Sequence, residues 1–249
     1  MMRLFISTIS HNSDKMIVEN NVLSLLSHDH EVIIKCNTKC TQQLYTFADK
    51  NRIHIIDEQY SCGFGRNNNI VFEYCKKELG MKGDDYFLIL NPDVVVSCES
   101  IFHLMKNAIV SDENICTINL HKDLALAKPE GSIKKFPDIL TPAIAFFSKK
   151  HPCEYDKNKI HQATCVDWAA GSFLLFKSSV YEKLGGFDEK YFMYFEDVDI
   201  CRRAKRNGYN IIYYPDIKAT HFGGYRNRNF LSKDFMWYLR SYIVYHTGF

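Results

Sequence analysis

Three carboxylates fall within four residues, at Glu196, Asp197 and Asp199, directly after the aromatic run Tyr191-Phe192-Met193-Tyr194-Phe195. The residues that follow, through Lys205 to Asn207, read as a helix closed by Gly208, a residue type suited to that position. Glu196 and Asp197 then stand at a helix N-terminus, where free N–H groups and the helix dipole hold ionised carboxylates. That setting suits a general base as well as a plain acidic cap. Asp199 lies two or three positions further in and is expected to support rather than react. A further acid, Asp93, follows the apolar run Tyr86-Phe87-Leu88-Ile89-Leu90 across Asn91-Pro92. A charge at the end of a central strand is costly unless it is paired or bound to a cation. His221 is expected on the same side of the sheet, and together the two suggest a divalent metal.

The segments that must position these groups alternate. Residues 3–9 read as a buried strand, 17–26 as a helix, 31–35 as a strand, 41–49 as a helix and 53–56 as a strand. This order argues for a parallel sheet with right-handed crossovers, whose ligands sit beyond the carboxyl ends of the strands. The turns at 10–14 and 36–38 are therefore candidate nucleotide contacts. Gly63-Phe64-Gly65-Arg66-Asn67-Asn68-Asn69 opens a helix through Leu79. It is neither a dinucleotide fingerprint nor a P-loop, yet two glycines at a helix start allow close approach to a phosphate or sugar. The strongest strand, 84–96, is broken at Pro92, which has no N–H to donate.

A helix at 100–110 and a strand at 115–120 follow. Residues 124–162 carry Pro129, Pro137, Pro142 and Pro152 and are expected to be irregular and acceptor-facing. Trp168 beside Ala169, Ala170, Gly171 and Ser172 makes either a stacking shelf for a sugar ring or a core tryptophan. A strand at 173–176, a short helix at 180–184 and the turn Gly185-Gly186-Phe187-Asp188 lead into the acidic motif. A strand at 210–214 precedes His221. Residues 229–245 read as a basic, aromatic helix.

With 249 residues, 46% hydrophobic and 24% charged, the chain has room for one large α/β domain and lacks the bias of a disordered one. From Arg202 onward nine Lys and Arg face two Asp, a balance of +7 within a net charge of +2. That end suits an anionic surface or a phosphate-bearing ligand. The 9 Cys contain no C-x-x-C pair, which fits reduced thiols and argues against zinc. No apolar stretch reaches the ~18 residues of a membrane span, and residues 1–10 read as a strand rather than a signal peptide.

The order of these parts resembles a family-2 glycosyltransferase of the GT-A fold and, within that family, the bacterial rhamnosyltransferases of O-antigen assembly. The matching pieces are Ser7-Thr8-Ile9-Ser10-His11-Asn12, the Gly63–Asn69 stretch, Asn91-Pro92-Asp93, Trp168-Ala169-Ala170-Gly171-Ser172, Gly185-Gly186-Phe187-Asp188, Tyr191 through Asp199, and His221. The resemblance implies an α/β, Rossmann-like, mostly parallel sheet with helices on both faces. It implies a nucleotide-sugar half at 1–96, an acceptor and catalytic half at 97–225, and a C-terminal helix at 226–249.

Asp197 takes the place of the catalytic base, with Glu196 beside it as the alternative. Ser10, His11, Asn12, Asn37, Gly65, Arg66, Asn69, Asn91 and Asp93 would contact the donor. Trp168, Gly171 and Ser172 would contact the acceptor or sugar. Asp93 and His221 would hold Mg²⁺ or Mn²⁺. Asn91 stands where the family has the first Asp of its metal motif, so the metal leans on Asp93. Cys36-Asn37 departs from the family's frequent Asp-Asn, which leaves the base of the nucleotide open.

The implied reaction inverts the anomeric centre and moves L-rhamnose from dTDP-rhamnose to a lipid-linked saccharide, with no nucleic-acid partner. A UDP-dependent galactofuranosyl or hexosyl transfer is the alternative within enzymes. A non-catalytic nucleotide-sugar-binding module is the alternative outside them, and the intact Asp93, Glu196, Asp197 and His221 argue against it. The implied location is cytoplasmic, on the inner face of the bacterial cytoplasmic membrane. There Arg226, Arg228, Lys233 and Arg240, beside Phe230, Phe235, Met236, Trp237, Tyr238, Leu239, Tyr242 and Ile243, would meet anionic lipid or else pack on the domain.

Overall fold

The computed structural model describes residues 2–141, 152–223 and 232–248. Strand β1 (Leu4–Ser10) leads through α1 (Asp14–Asn20) and α2 (Val22–Leu26) to β2 (Glu31–Cys36), α3 (Gln42–Lys50) and β3 (His54–Ile56). The helix expected at 17–26 is two helices, because Asn21 adopts the left-handed conformation at φ 55°. Helix α4 (Phe64–Lys77) precedes β4 (Tyr86–Leu90), β5 (Val94–Val95), α5 (Cys98–Val110) and β6 (Ile115–His121). Then come β7 (Ile133–Lys134), a 3₁₀ turn (Lys157–Lys159), β8 (Thr164–Val166), β9 (Trp168–Ala169), β10 (Phe173–Lys177), α6 (Ser178–Lys183), α7 (Glu196–Arg206), β11 (Ile211–His221) and α8 (Lys233–Thr247).

The main sheet runs β3-β2-β1-β4-β10-β6-β11-β5, with β8 also on β11. Its first four strands are parallel, as the βαβ alternation requires. Beyond β4 it is mixed. β10 runs antiparallel to both neighbours, β11 is parallel to β6, and β5 returns antiparallel at the far edge. The strand expected at 84–96 is thus two strands, β4 in the middle of the sheet and β5 at its edge, separated at Pro92. The strand expected at 210–214 continues through a register shift after Tyr214 to His221.

Two apolar layers hold the sheet. One packs α1, α2, α3 and α5 on one face, and the other packs α4, α6 and α7 on the opposite face. A third cluster joins Tyr191, Phe195 and Val198 to Val244 and Tyr245 of α8. The switch point of the parallel strands, where crossovers leave in opposite directions, lies between β1 and β4. Ser10 ends one of these strands and Asn91-Pro92-Asp93 follows the other. Among the described residues no helix is long and apolar enough to cross a membrane. Arg226, Arg228 and Phe230 lie outside the described residues, as does the expected boundary at 225.

Candidate active site

The acidic motif opens α7, as its spacing predicts. What aims it is the backbone just before. Tyr194 and Phe195 both adopt the left-handed conformation, at φ 67° and 66°. For bulky residues this costs about 1–3 kcal/mol each and persists only where packing enforces it. Helix α8 provides that packing. Tyr194 meets Tyr238, and Phe195 meets Tyr238, Tyr242 and Tyr245, with ring centroids 5.2–6.0 Å apart. Four such pairs contribute about 0.5–1.5 kcal/mol each beyond the burial of the rings, which offsets the strain. Ser241 Oγ also donates to the Met193 carbonyl at 2.9 Å.

The turn sets the two carboxyls in different surroundings. Asp197 is partly exposed and accepts N–H bonds from Gly171 (Oδ2, 3.0 Å) and Val198 (Oδ1, 2.8 Å). Burial raises its pKa above the usual aspartate value, while the two amides and Lys134 oppose the rise. Glu196 is buried, and its Oε2 has no hydrogen-bond partner among the described residues. Burial first, then the neighbouring Asp197 charge, pushes its pKa far up. Both carboxyls are thus pushed up, Glu196 the further of the two, and Asp197, held by two amides, is the better placed to take a proton. Asp199 instead accepts from Arg203 Nε at 2.7 Å, and Arg203 in turn donates to the Gly186 carbonyl.

Asp93 and His221 also come together. His221 Nε2 lies 3.3 Å from Asp93 Oδ1, because His221 is paired with Val94 where β11 meets β5. On its other side Nδ1 donates to Glu130 at 2.9 Å. Burial would lower the imidazole pKa, but hydrogen bonds to both carboxylates raise it to about 9. Among the described residues no three His, Cys, Asp or Glu converge as a closed metal cage. One carboxylate oxygen and one imidazole nitrogen fit a hard cation that takes its remaining ligands from a diphosphate and water.

The donor-side turns are stitched to each other. Asn37 N–H donates to the Ser10 carbonyl at 2.7 Å. Its side chain both donates to the Cys62 carbonyl and accepts from the Cys62 N–H, while His11 stands 3.4 Å from Nδ2. Ser10 Oγ donates to Asp14, which also accepts from Thr41 N–H. Asn12 at φ 57° donates its N–H to Thr38 Oγ1. Ser10 and Asn37 are thus framework at the rim, and His11 and Asn12 are the exposed groups on it.

The run Asn67-Asn68-Asn69 has three separate structural tasks. Asn67 donates to the Cys62 and Gly63 carbonyls, and Asn68 accepts from Ser7 on β1. Asn69 accepts from Tyr181 Oη and Phe187 N–H and donates to the Phe187 carbonyl. Gly186, at φ 66°, lies so near Asn69 that a Cβ would fall 2.4 Å from its Oδ1. Two donor assignments change accordingly. Asn69 is occupied in holding this turn, and Gly65 is covered, since a Cβ there would meet Phe187 at 2.7 Å rather than an open phosphate cradle. Arg66 is exposed and pairs with Glu189 at 3.5 Å.

On the acceptor side, Trp168 donates its indole N–H to the Lys135 carbonyl, and Lys134 Nζ sits over its ring at 5.3 Å. It packs with the apolar clusters of α7 and α8, so the core task accounts for its contacts. Gly171 contributes its N–H to Asp197. Ser172 accepts the Asn91 N–H on its carbonyl at 3.0 Å, and its buried Oγ has no hydrogen-bond partner among the described residues. Two adjacent residues, 171 and 172, thereby tie the base to the Asn91-Pro92-Asp93 turn. The sequence offered no signal for Glu130, which lies in the irregular stretch, whereas packing of the α8 aromatics on the domain was one of its two readings.

Residues 154–238 match the model of glycosyltransferase like family 2. Rhamnosyltransferase WbbL of Escherichia coli K12 is 36% identical over 183 residues, covering 74% of this chain and 69% of that protein. The N-acetylglucosaminyl-diphospho-decaprenol L-rhamnosyltransferase of Mycobacterium tuberculosis is 30% identical over 149 residues, 55% of this chain and 47% of that one. The crystal structure of GalNAc-T7 with UDP, GalNAc and Mn²⁺ superposes with a TM-score of 0.67 at 12% identity, covering 98% of this chain and 48% of that one, a likeness of fold.

Proposed function

Because the chain belongs to the family-2 glycosyltransferases and has their GT-A fold, we propose that it moves L-rhamnose from dTDP-L-rhamnose to a polyprenyl-diphosphate-linked sugar, inverting the anomeric centre. The observation that carries this reading is Asp197. It is a partly exposed carboxylate of raised pKa, fixed by the Gly171 and Val198 amides. In the proposed reaction Asp197 takes the proton of the acceptor hydroxyl as its oxygen attacks the anomeric carbon. The bond from that carbon to the nucleotide diphosphate breaks on the opposite side. Asp93 and His221 would hold a Mg²⁺ or Mn²⁺, which when bound would supply counter-charge to the diphosphate. His11 and Asn12 are the rim groups nearest the nucleotide in this reading.

The lipid on the acceptor and the setting in O-antigen assembly belong to the same proposal. The mycobacterial relative's name carries a decaprenol diphosphate. On α8 the inner aromatic face is packed, while Met236, Leu239 and Ile243 remain exposed beside Lys233 and Arg240. That outer face suits the edge of an anionic bilayer on the cytoplasmic side.

The test is transfer to a polyprenyl-diphosphate N-acetylglucosamine acceptor with dTDP-L-rhamnose and a panel of UDP-hexoses, with and without Mn²⁺. Product from dTDP-rhamnose alone supports the reading. Product from a UDP-hexose and none from dTDP-rhamnose overturns the sugar, and neither transfer nor donor hydrolysis overturns catalysis.

A further inference from the structure

His221 is held from two sides, and the second side has no role in the reading so far. Both oxygens of Glu130 lie close to Nδ1, at 2.9 and 3.0 Å, and the two side chains are only 12% and 11% exposed. A contact so shielded from water fixes ring orientation far better than a surface pair does. A neutral imidazole carries a single ring proton, and the hydrogen bond at one nitrogen decides which. When the ring is neutral, Glu130 accepting from Nδ1–H leaves the lone pair on Nε2, the nitrogen that faces Asp93.

The segment that presents Glu130 is itself anchored. Glu130 N–H donates to the Leu120 carbonyl at 2.9 Å. Two residues on, Ser132 Oγ accepts from the buried Lys157 Nζ at 3.0 Å, and Lys157 also donates to Asn119 Oδ1 and the Leu120 carbonyl. The Ser132 carbonyl accepts from Ala170 N–H at 2.8 Å, one residue before the Gly171 amide that holds Asp197.

We infer that Glu130 is a positioning residue, which orients His221 and fixes its proton on Nδ1 so that Nε2 is offered to a divalent cation shared with Asp93. The inference rests on the proposed reading of Asp93 and His221 as cation ligands. Carboxylates behind metal-bound histidines raise ligand basicity, and losing one typically costs about 10–100-fold in metal affinity.

The experiment measures Mn²⁺ affinity by electron paramagnetic resonance with saturating dTDP present. It is paired with ¹⁵N NMR of the His221 ring in the folded, metal-free protein at a pH where the ring is neutral. Glu130→Ala is expected to weaken Mn²⁺ binding about 10–100-fold and to move the ring signals away from the Nδ1–H tautomer. Glu130→Gln, which retains an acceptor, should lose less and keep the tautomer. If Glu130→Ala does not fold, Glu130→Leu keeps the volume and gives the same reading. Asp93→Ala distinguishes the role of Glu130 from the cation site itself. Weaker Mn²⁺ binding in Asp93→Ala with wild-type binding and ring signals in the Glu130 variants overturns the role of Glu130 alone. Wild-type Mn²⁺ affinity in Asp93→Ala overturns the cation site and this inference with it.

Discussion

The two halves of the sheet place their functional groups by different means. In the parallel half, β1, β2 and β4 end together, and the turns beyond them are joined by short backbone bonds such as Asn37 to Ser10. Position there follows from strand order. Beyond β4 the strands are mixed, and the groups are held through side-chain contacts with other elements. Glu130 reaches His221, Gly171 reaches Asp197, and α8 grips Phe195. The first half is a pre-formed rim. The second half is assembled under strain and buried charge, so damage there should reach the chemistry over longer distances.

The largest expected effect breaks the second half at its centre. Asp197→Asn keeps shape and removes the proton acceptor, and turnover should fall by about 10²–10⁴ with donor binding largely retained. Full activity in Asp197→Asn with a dead Glu196→Gln would move the base by one residue. Next comes the junction of the halves. Asp93→Ala should weaken Mn²⁺-dependent dTDP binding by more than about tenfold, read by calorimetry, since the diphosphate loses counter-charge. Equal affinity with and without Mn²⁺ in the wild type would remove the cation from the account.

A smaller effect tests the strained turn. At Phe195, substitution by Ala removes the rings' partner and keeps the left-handed strain, whereas Gly removes both. Phe195→Gly should therefore be the more stable variant by about 1 kcal/mol in urea unfolding. Ala above Gly, the usual order, would mean that the turn carries no strain.

The smallest effect concerns Lys157. Burial lowers its pKa to about 8. Between that value and its ordinary one the unfolded chain binds more protons than the folded chain, so this group makes stability rise with pH across that window. Below it the cost of burying the cation is constant. Lys157→Met should flatten the rise between about pH 8 and 10.5 in thermal unfolding, and an identical slope would assign the pH response elsewhere.

Much of the parallel half was legible because it obeys local rules. Alternating apolar segments gave β1 to β4, Thr41 and Ser97 cap α3 and α5, and Gly208 closes the turn after α7. The acidic helix start and the meeting of Asp93 with His221 were legible for the same reason, through a cap and two strand ends. Other features depend on tertiary partners. Nothing in Tyr194-Phe195 announces left-handed backbone, since the residues that enforce it lie more than forty positions away. Asn69 reads as a donor contact because amides at a helix start bind ligands, yet its amide serves the protein's own turn. Strand direction left no mark on the apolar run of β10, so the mixed character of the sheet beyond β4 was hidden.

Consider finally the wiring of Ala170, Gly171 and Ser172. Three consecutive residues connect to Ser132, Asp197 and Asn91, each through a main-chain group. Side-chain exchange leaves such bonds intact, but a one-residue insertion or deletion moves all three at once. A chimera that swaps acceptor specificity between related enzymes should therefore exchange the stretch from Ser132 through Asp197 as a single cassette. A crossover inside it would combine two registers at the one place where the fold has no slack.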